Sequence, residues 1–174
     1  RNVIITVGDV NRPPAWISIP DSVSVDEAAE LVFAVEGTDP DGDDLTIFYN
    51  AGNIPEAAEF TDNGDGTGSF TWTPSHDDAN IYRALFTLTD GEFNIPDSVF
   101  IIVNHVNRQP VWENVPDSLV VNEDQLLEFT VQGTDPDDDD LTITATSGNL
   151  PGGWSFRYNG EGSGTFSWTP SFAD

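Results

Sequence analysis

The sequence predicts an all-β fold: tandem seven-stranded antiparallel β-sandwiches, the second one truncated. Three observations carry that expectation. Segments recur without gaps 96 positions apart: Val10-Asn11-Arg12-Pro13-Pro14-Ala15-Trp16 returns as Val106-Asn107-Arg108-Gln109-Pro110-Val111-Trp112, Gly37-Thr38-Asp39-Pro40-Asp41 as Gly133-Thr134-Asp135-Pro136-Asp137, and Phe70-Thr71-Trp72-Thr73-Pro74-Ser75 as Phe166-Ser167-Trp168-Thr169-Pro170-Ser171. Apolar residues alternate with polar ones at period two, the spacing of a strand with one buried face. Clusters of Gly, Pro, Asn and Asp punctuate these short runs, and no stretch carries a helical apolar stripe. A 96-residue period is too long for a solenoid unit and matches the size of a sandwich, so each copy reads as a domain.

The elements of the complete copy follow in order. Trp16 to Ile19 and Val23 to Val25 read as a first strand split by Pro20-Asp21. Leu31, Phe33 and Val35 mark a second strand, and Leu45, Ile47 and Tyr49 a third. A Gly/Asn-rich section follows, anchored by Ile54-Pro55 and Phe60. Asn63-Gly64-Asp65-Gly66 is a hairpin turn, because Asn and Gly tolerate positive φ. It leads into Phe70 and Trp72, which share a face. Tyr82, Ala84, Phe86 and Leu88 form the longest alternating run, and Val99, Ile101 and Val103 the last strand. Seven or so short strands of this kind fit a sandwich of immunoglobulin-like type. Trp16, Trp72, Trp112 and Trp168 recur at equivalent positions and are expected in the cores. Val3 to Val10 aligns with Val99 to Val106, so residues 1–9 read as the last strand of a preceding repeat. Residues 10–105 form the complete repeat. Residues 106–174 form a second repeat lacking its last two strands, because Asp174 matches Asp78.

Composition narrows the function classes. There are 31 acidic residues against 5 basic ones, a net charge of −26, so nucleic acid and anionic membrane surfaces are excluded as partners. No run is long and apolar enough for insertion into a membrane. The chain has no cysteine, hence neither disulfides nor thiolate metal sites. Like charge at this density opposes compaction unless it is solvated or neutralised by cations. The acids are clustered where strands end. Asp39-Pro40-Asp41-Gly42-Asp43-Asp44 returns as Asp135-Pro136-Asp137-Asp138-Asp139-Asp140, Asp26-Glu27 as Asn122-Glu123, and Asp90 closes the long penultimate strand. Ca²⁺ takes six to eight oxygens, and an Asp-x-Asp turn fixed by Pro and Gly brings two carboxylates together beside free carbonyls. Asp62-Asn63-Gly64-Asp65-Gly66 also reads as acidic loop, but its second copy, Tyr158-Asn159-Gly160-Glu161-Gly162, loses the leading Asp, which favours the hairpin turn.

The order of these motifs resembles cadherin repeats, and more closely the dystroglycan-type cadherin-like repeats found in tandem on bacterial surface proteins. Asp9-Val10-Asn11-Arg12-Pro13-Pro14 is similar to the cadherin inter-repeat linker, Glu27 to the acid of the first loop, Thr38-Asp39-Pro40-Asp41-Gly42 to the Asp-x-Asp motif, and Asp90-Gly91 to the Asp before the last strand. The resemblance implies Ca²⁺ at junctions between repeats. The junction before the first copy would use Asp9, Asn11, Asp39, Asp41 and Asp90, and the internal one Glu27, Asn107, Asp135 and Asp137. Glu123 would serve a following junction. Three departures lower the expected ion count to one or two per junction. Arg12-Pro13 replaces an Asp-Asn of the linker, His105 stands in place of its leading Asp, and no Asp-Arg-Glu motif is present.

The expected role is a calcium-stiffened structural and adhesion repeat of a large secreted or cell-surface protein. Its partners would be neighbouring repeats of the same chain and other copies of the adhesin. The alternative is a polysaccharide-binding module, with Trp154 and Tyr158 as a stacking platform confined to the second copy, where the first has Ala58 and Asp62. Catalysis finds no footing: the two histidines, His76 and His105, belong to no nucleophile or zinc-protease motif, and the paired acids lie in turns.

Overall fold

The computed structural model describes residues 2–8, 10–55 and 57–172. The chain divides into two compact units, Arg1–Val106 and Asn107–Asp174. No helix occurs among the described residues.

Among the described residues the first unit contains eight strands. The split of the first one is observed: β1 (Ala15–Ser18) and β2 (Ser22–Asp26) flank Pro20, which has no N–H to give a ladder. The break lets the chain change sheets. β1 pairs antiparallel with β3 (Leu31–Thr38), whereas β2 runs parallel to β8 (Asn94–Asn104), with Val23 opposite Ile101 and Val25 opposite Val103. That parallel pair is the exception to the antiparallel pattern expected. With β4 (Thr46–Asn50), β5 (Glu59–Asp62), β6 (Thr67–Trp72) and β7 (Ile81–Thr89), the strands form two sheets, β1-β3-β6-β5 and β2-β8-β7-β4.

Alternation delivers one face of each sheet to a shared core. Val35, Phe70 and Trp72 come from one sheet, and Ile47, Ala84, Phe86, Leu88, Val99, Ile101 and Val103 from the other. Phe86 lies among the rings of Phe33, Tyr49 and Phe60, with centroids 6.1, 5.5 and 5.2 Å away. The β5–β6 hairpin turns through Gly64 and Gly66, both at positive φ (75° and 82°), as the Asn-Gly-Asp-Gly run predicts. Asp65 accepts from the Thr67 N–H and hydroxyl, so its carboxylate serves the turn. Across the hairpin Phe60 folds over Gly68, where a Cβ would come within 2.3 Å of the ring. The second copy repeats this with Phe156 over Gly164.

The second unit has one sheet, β11-β12-β10-β9, built from β9 (Val111–Asn114), β10 (Leu127–Thr134), β11 (Ser155–Gly160) and β12 (Ser163–Trp168). It reproduces the β1-β3-β6-β5 sheet. The segments matching β2 and β4 form no strand; in the first unit these pair only with β8 and β7, and the 174 residues hold no counterpart of either. For the same reason Trp112 departs from expectation. Trp16 packs on the core and donates to the Ile95 carbonyl, while Trp112, with no such strand to meet, is 60% exposed. Residues 2–8 form no strand, and Val3, Ile4, Ile5 and Val7 are exposed.

Candidate metal centre

One end of the first unit gathers most of the expected acids. Asp39 follows β3, Asp90 follows β7, and Asn11 precedes β1. The Asp39 Oδ1 accepts the N–H of Asp41 at 2.7 Å and that of Asp43 at 3.3 Å, so the Asp-Pro-Asp turn is organised around this one carboxylate. Its Oδ2 is buried without a hydrogen-bond partner. Asp90 Oδ1 accepts from the N–H groups of Glu92 and Phe93, and its Oδ2 accepts from the Asn11 amide at 3.1 Å. Asn11 also donates to Glu92, while its own Oδ1 is buried and unpartnered. Asp39, Asp41 and Asp43 each place an oxygen within 4.8 Å of the others, the one such set of three among the described residues. Asp9, the remaining expected ligand, lies outside the described residues. Asp43 and Glu92 were not singled out from the sequence; the Asp-x-Asp-x-Asp spacing was the available signal for the first.

A cation of the chain itself occupies part of this site. Arg12 donates its backbone N–H to Asp41 Oδ2 at 2.7 Å, its Nε and Nη2 to Oδ1 at 2.8 and 2.5 Å, and its Nη2 to the Pro40 carbonyl at 2.5 Å. Both oxygens of Asp41 are thereby engaged. The Arg12 guanidinium, then its N–H, hold the Asp41 pKa below the ordinary aspartate value, against burial and the repulsion of Asp90. Burial pushes Asp90 up, yet the N–H groups of Phe93 and Glu92 and the Asn11 amide outweigh it, and its pKa is lowered too. A carboxyl depressed by folding stabilises fully above its unfolded pKa, and that contribution is lost as pH falls through the folded value. Arg12→Gln is therefore expected to move the Asp41 titration upward, toward the ordinary value of about 4. Its melting temperature should fall furthest behind wild type near neutral pH, with the gap narrowing in acid. Carboxyl NMR titration checks this, and an unmoved Asp41 would refute the clamp.

The second unit repeats the clamp. Arg108 donates its N–H to Asp137 Oδ2 at 2.5 Å, its Nε to Oδ1 at 2.7 Å, and its Nη2 to the Pro136 carbonyl. Asp135 Oδ1 accepts the Asp137 N–H at 2.9 Å. Asp138 takes the left-handed conformation (φ 60°) that Gly42 takes in the first copy. Asn107 differs from Asn11: it is exposed and its amide donates to the Arg108 carbonyl. The position matching Asp90 falls outside the 174 residues.

Glu27 lies elsewhere, at the opposite end of β3, whose eight residues span about 26 Å. Its N–H continues the β2–β8 ladder to the Asn104 carbonyl, and Ala28, at φ 60°, turns the chain to donate to the Pro74 carbonyl. The side chain is fully buried. Its Oε2 accepts the Val106 N–H at 2.7 Å and faces His105 Nδ1 at 3.0 Å and His76 Nδ1 at 3.9 Å. The Val106 N–H above all, with both histidines adding, outweighs burial and lowers its pKa. Asp124 repeats the turn of Ala28 with a bond to Pro170, but Glu123 is exposed, with no residues in the sequence at the positions matching 104–106.

The two aromatic candidates of the second unit do not form a common open face. Trp154 is half-buried and stacks on Phe166 with centroids 5.9 Å apart and planes at 12°, so one face of the indole is used internally. Tyr158 is exposed but its hydroxyl donates to the Leu141 carbonyl.

Comparison with known proteins adds the following. The family model of the bacterial Ig domain matches residues 11–101 and 107–173. Integrin beta-like protein A of Dictyostelium discoideum is 28% identical over 162 residues; the match spans 87% of this chain and 8% of that protein. Among solved structures, an endo-fucoidan hydrolase from glycoside hydrolase family 107 is 25% identical at a TM-score of 0.49, over 92% of this chain and 25% of the other. The titin domains Z1Z2 in complex with telethonin are 12% identical at a TM-score of 0.49, over 94% and 85% of the two chains.

Proposed function

Because the chain belongs to the bacterial Ig domain family, we propose that it is a calcium-responsive structural repeat of a secreted or surface protein, cadherin-like in where it holds its ions. The observation that carries this reading is the pair of buried oxygens without partners, Asn11 Oδ1 and Asp39 Oδ2, beside Asp90. Two orphaned acceptors in one cluster cost several kcal/mol unless a donor or cation meets them, since each unpartnered buried group costs about 1–3 kcal/mol. All the groups on offer are oxygens, the donor set of Ca²⁺ rather than of a transition metal.

Asn11, Asp39, Asp43 and Asp90 would hold the ion. Asp41 contributes little while Arg12 binds both its oxygens, so one ion per cluster is the expected load. Calcium would supply neutralisation of like charge, and the consequence is a stiffer passage from one repeat to the next. Sites of this class in extracellular modules bind at about 10⁻⁴–10⁻³ M, which suits an extracellular location. Neighbouring repeats and other copies of the same protein are the proposed partners.

The test is small-angle scattering and thermal melting of the chain in chelator and in millimolar Ca²⁺, at matched ionic strength because a charge of −26 responds to any salt. The expected result is a higher melting temperature and a narrower, more extended distribution of distances with Ca²⁺. Identical curves would end the proposal.

A further inference from the structure

The chain has only two histidines, 29 positions apart, and both converge on Glu27, the one buried glutamate among the described residues. Three separate segments deliver them: Glu27 follows β2, His76 lies in the β6–β7 connection, and His105 follows β8. We infer that Glu27, His76 and His105 form a second metal site, selective for Zn²⁺ or a similar borderline divalent ion rather than for Ca²⁺.

The cluster has unmet bonding capacity. Glu27 Oε1 and His76 Nδ1 are both buried without a hydrogen-bond partner, in a glutamate whose side chain has no solvent exposure. A carboxylate so placed needs compensating positive charge. One divalent ion would satisfy the carboxylate and both rings together. Zinc bonds of about 2.0–2.2 Å in a tetrahedron put neighbouring ligand atoms about 3.3 Å apart, close to the two carboxylate–imidazole separations, though the three ligand atoms do not all lie within 4.8 Å of one another. The observed values from Glu27 Oε2 bracket that figure, 3.0 Å to His105 and 3.9 Å to His76. The set is looser than the Asp39 group, so binding draws the rings inward by side-chain rotation. Both imidazoles are partly exposed, which leaves them room to turn.

Ligand type decides the selectivity. Imidazole suits zinc, copper and nickel, whereas Ca²⁺ prefers oxygen alone. The counterpart of His105 in the segment before the first repeat is Asp9 and the second-repeat counterpart of His76 is Phe172, so the sequence differs here from the all-oxygen pattern at the other end. Two histidines and one glutamate leave a fourth position open, filled by water or by a group from another molecule. The neighbouring Asp77 and Asp78 raise the local concentration of cations without being part of the set.

The experiment titrates Zn²⁺ into the chelator-treated 174-residue chain without calcium, by calorimetry, and repeats it with Co²⁺ to read the visible absorption of a four-coordinate ion. One ion per chain is expected at this site, with Co²⁺ intensity typical of tetrahedral nitrogen and oxygen ligation. His76→Phe, the residue natural to the second copy, and His105→Asp, natural to the linker before the first, should each weaken Zn²⁺ by at least about 10-fold, the lower bound for loss of an outer-shell partner. Asp39→Asn should leave Zn²⁺ binding unchanged, so that failure here and failure of the calcium reading are separately visible. Circular dichroism establishes that both histidine variants fold. Absence of stoichiometric Zn²⁺ binding overturns the inference, and so does binding that both histidine variants retain.

Discussion

Asp39→Asn is expected to abolish the rise in melting temperature that millimolar Ca²⁺ confers, while the metal-free protein melts as wild type within a few degrees. The substitution keeps an oxygen able to accept from the N–H groups of Asp41 and Asp43, so the turn survives. It removes the charge and replaces the orphaned Oδ2 by an amide nitrogen, which repels a cation. At a calcium concentration ten times Kd, a site present only in the folded state stabilises by about 1.4 kcal/mol. For a unit of this size that corresponds to roughly 5–10 °C. Asp65→Asn is the matched control, since Asp65 is absorbed by its own hairpin turn and should leave the calcium response intact. A calcium shift in Asp39→Asn as large as in wild type would remove Asp39 from the site.

Phe86→Ala should produce the largest loss of stability of any single truncation in the first unit, about 3–5 kcal/mol. The ring is 1% exposed and is in contact with Phe33, Tyr49 and Phe60, rings drawn from both sheets. No single neighbour can fill the resulting cavity, because each is held by its own ladder. Against a total of about 5–15 kcal/mol, such a loss leaves a substantial unfolded population in a marginal domain. Urea denaturation reads it directly, and a loss below about 1.5 kcal/mol would mean that the two sheets repack around the gap. The second unit offers no equivalent: its aromatic contacts are Phe129 and Trp154 against Phe166, on a single sheet.

Local chemistry made much of this legible. Pro20 announced the strand break, the Asn-Gly-Asp-Gly run announced the hairpin, and the Asp-Pro-Asp spacing announced a turn folded on its first carboxylate. These are short-range effects, written in a few adjacent residues. Arg12 was harder. In sequence it is a departure from an acidic linker pattern, and only the fold shows it 29 positions away in sequence but bonded to Asp41 through three nitrogens. The recurrence of Arg108 on Asp137 makes that clamp a rule of the repeat rather than an accident of one copy. Under the calcium reading the same arginine would lower the number of ions a cluster needs, because one positive charge per cluster is already covalently present.

By itself the sequence determined the period, the all-β character, the positions of the turns and the placement of acids at strand ends. Alternation and turn chemistry are local, and a 96-residue repeat reads the same in any conformation. Only the tertiary structure decided which charges meet. It closed Arg12 onto Asp41, left Asn11 and Asp39 with unanswered oxygens, and brought His76 and His105 to a glutamate buried at the far end of β3. Those pairings depend on how strands from distant parts of the chain align across two sheets, and electrostatic partnership is set by distance in space, which spacing along the chain does not encode.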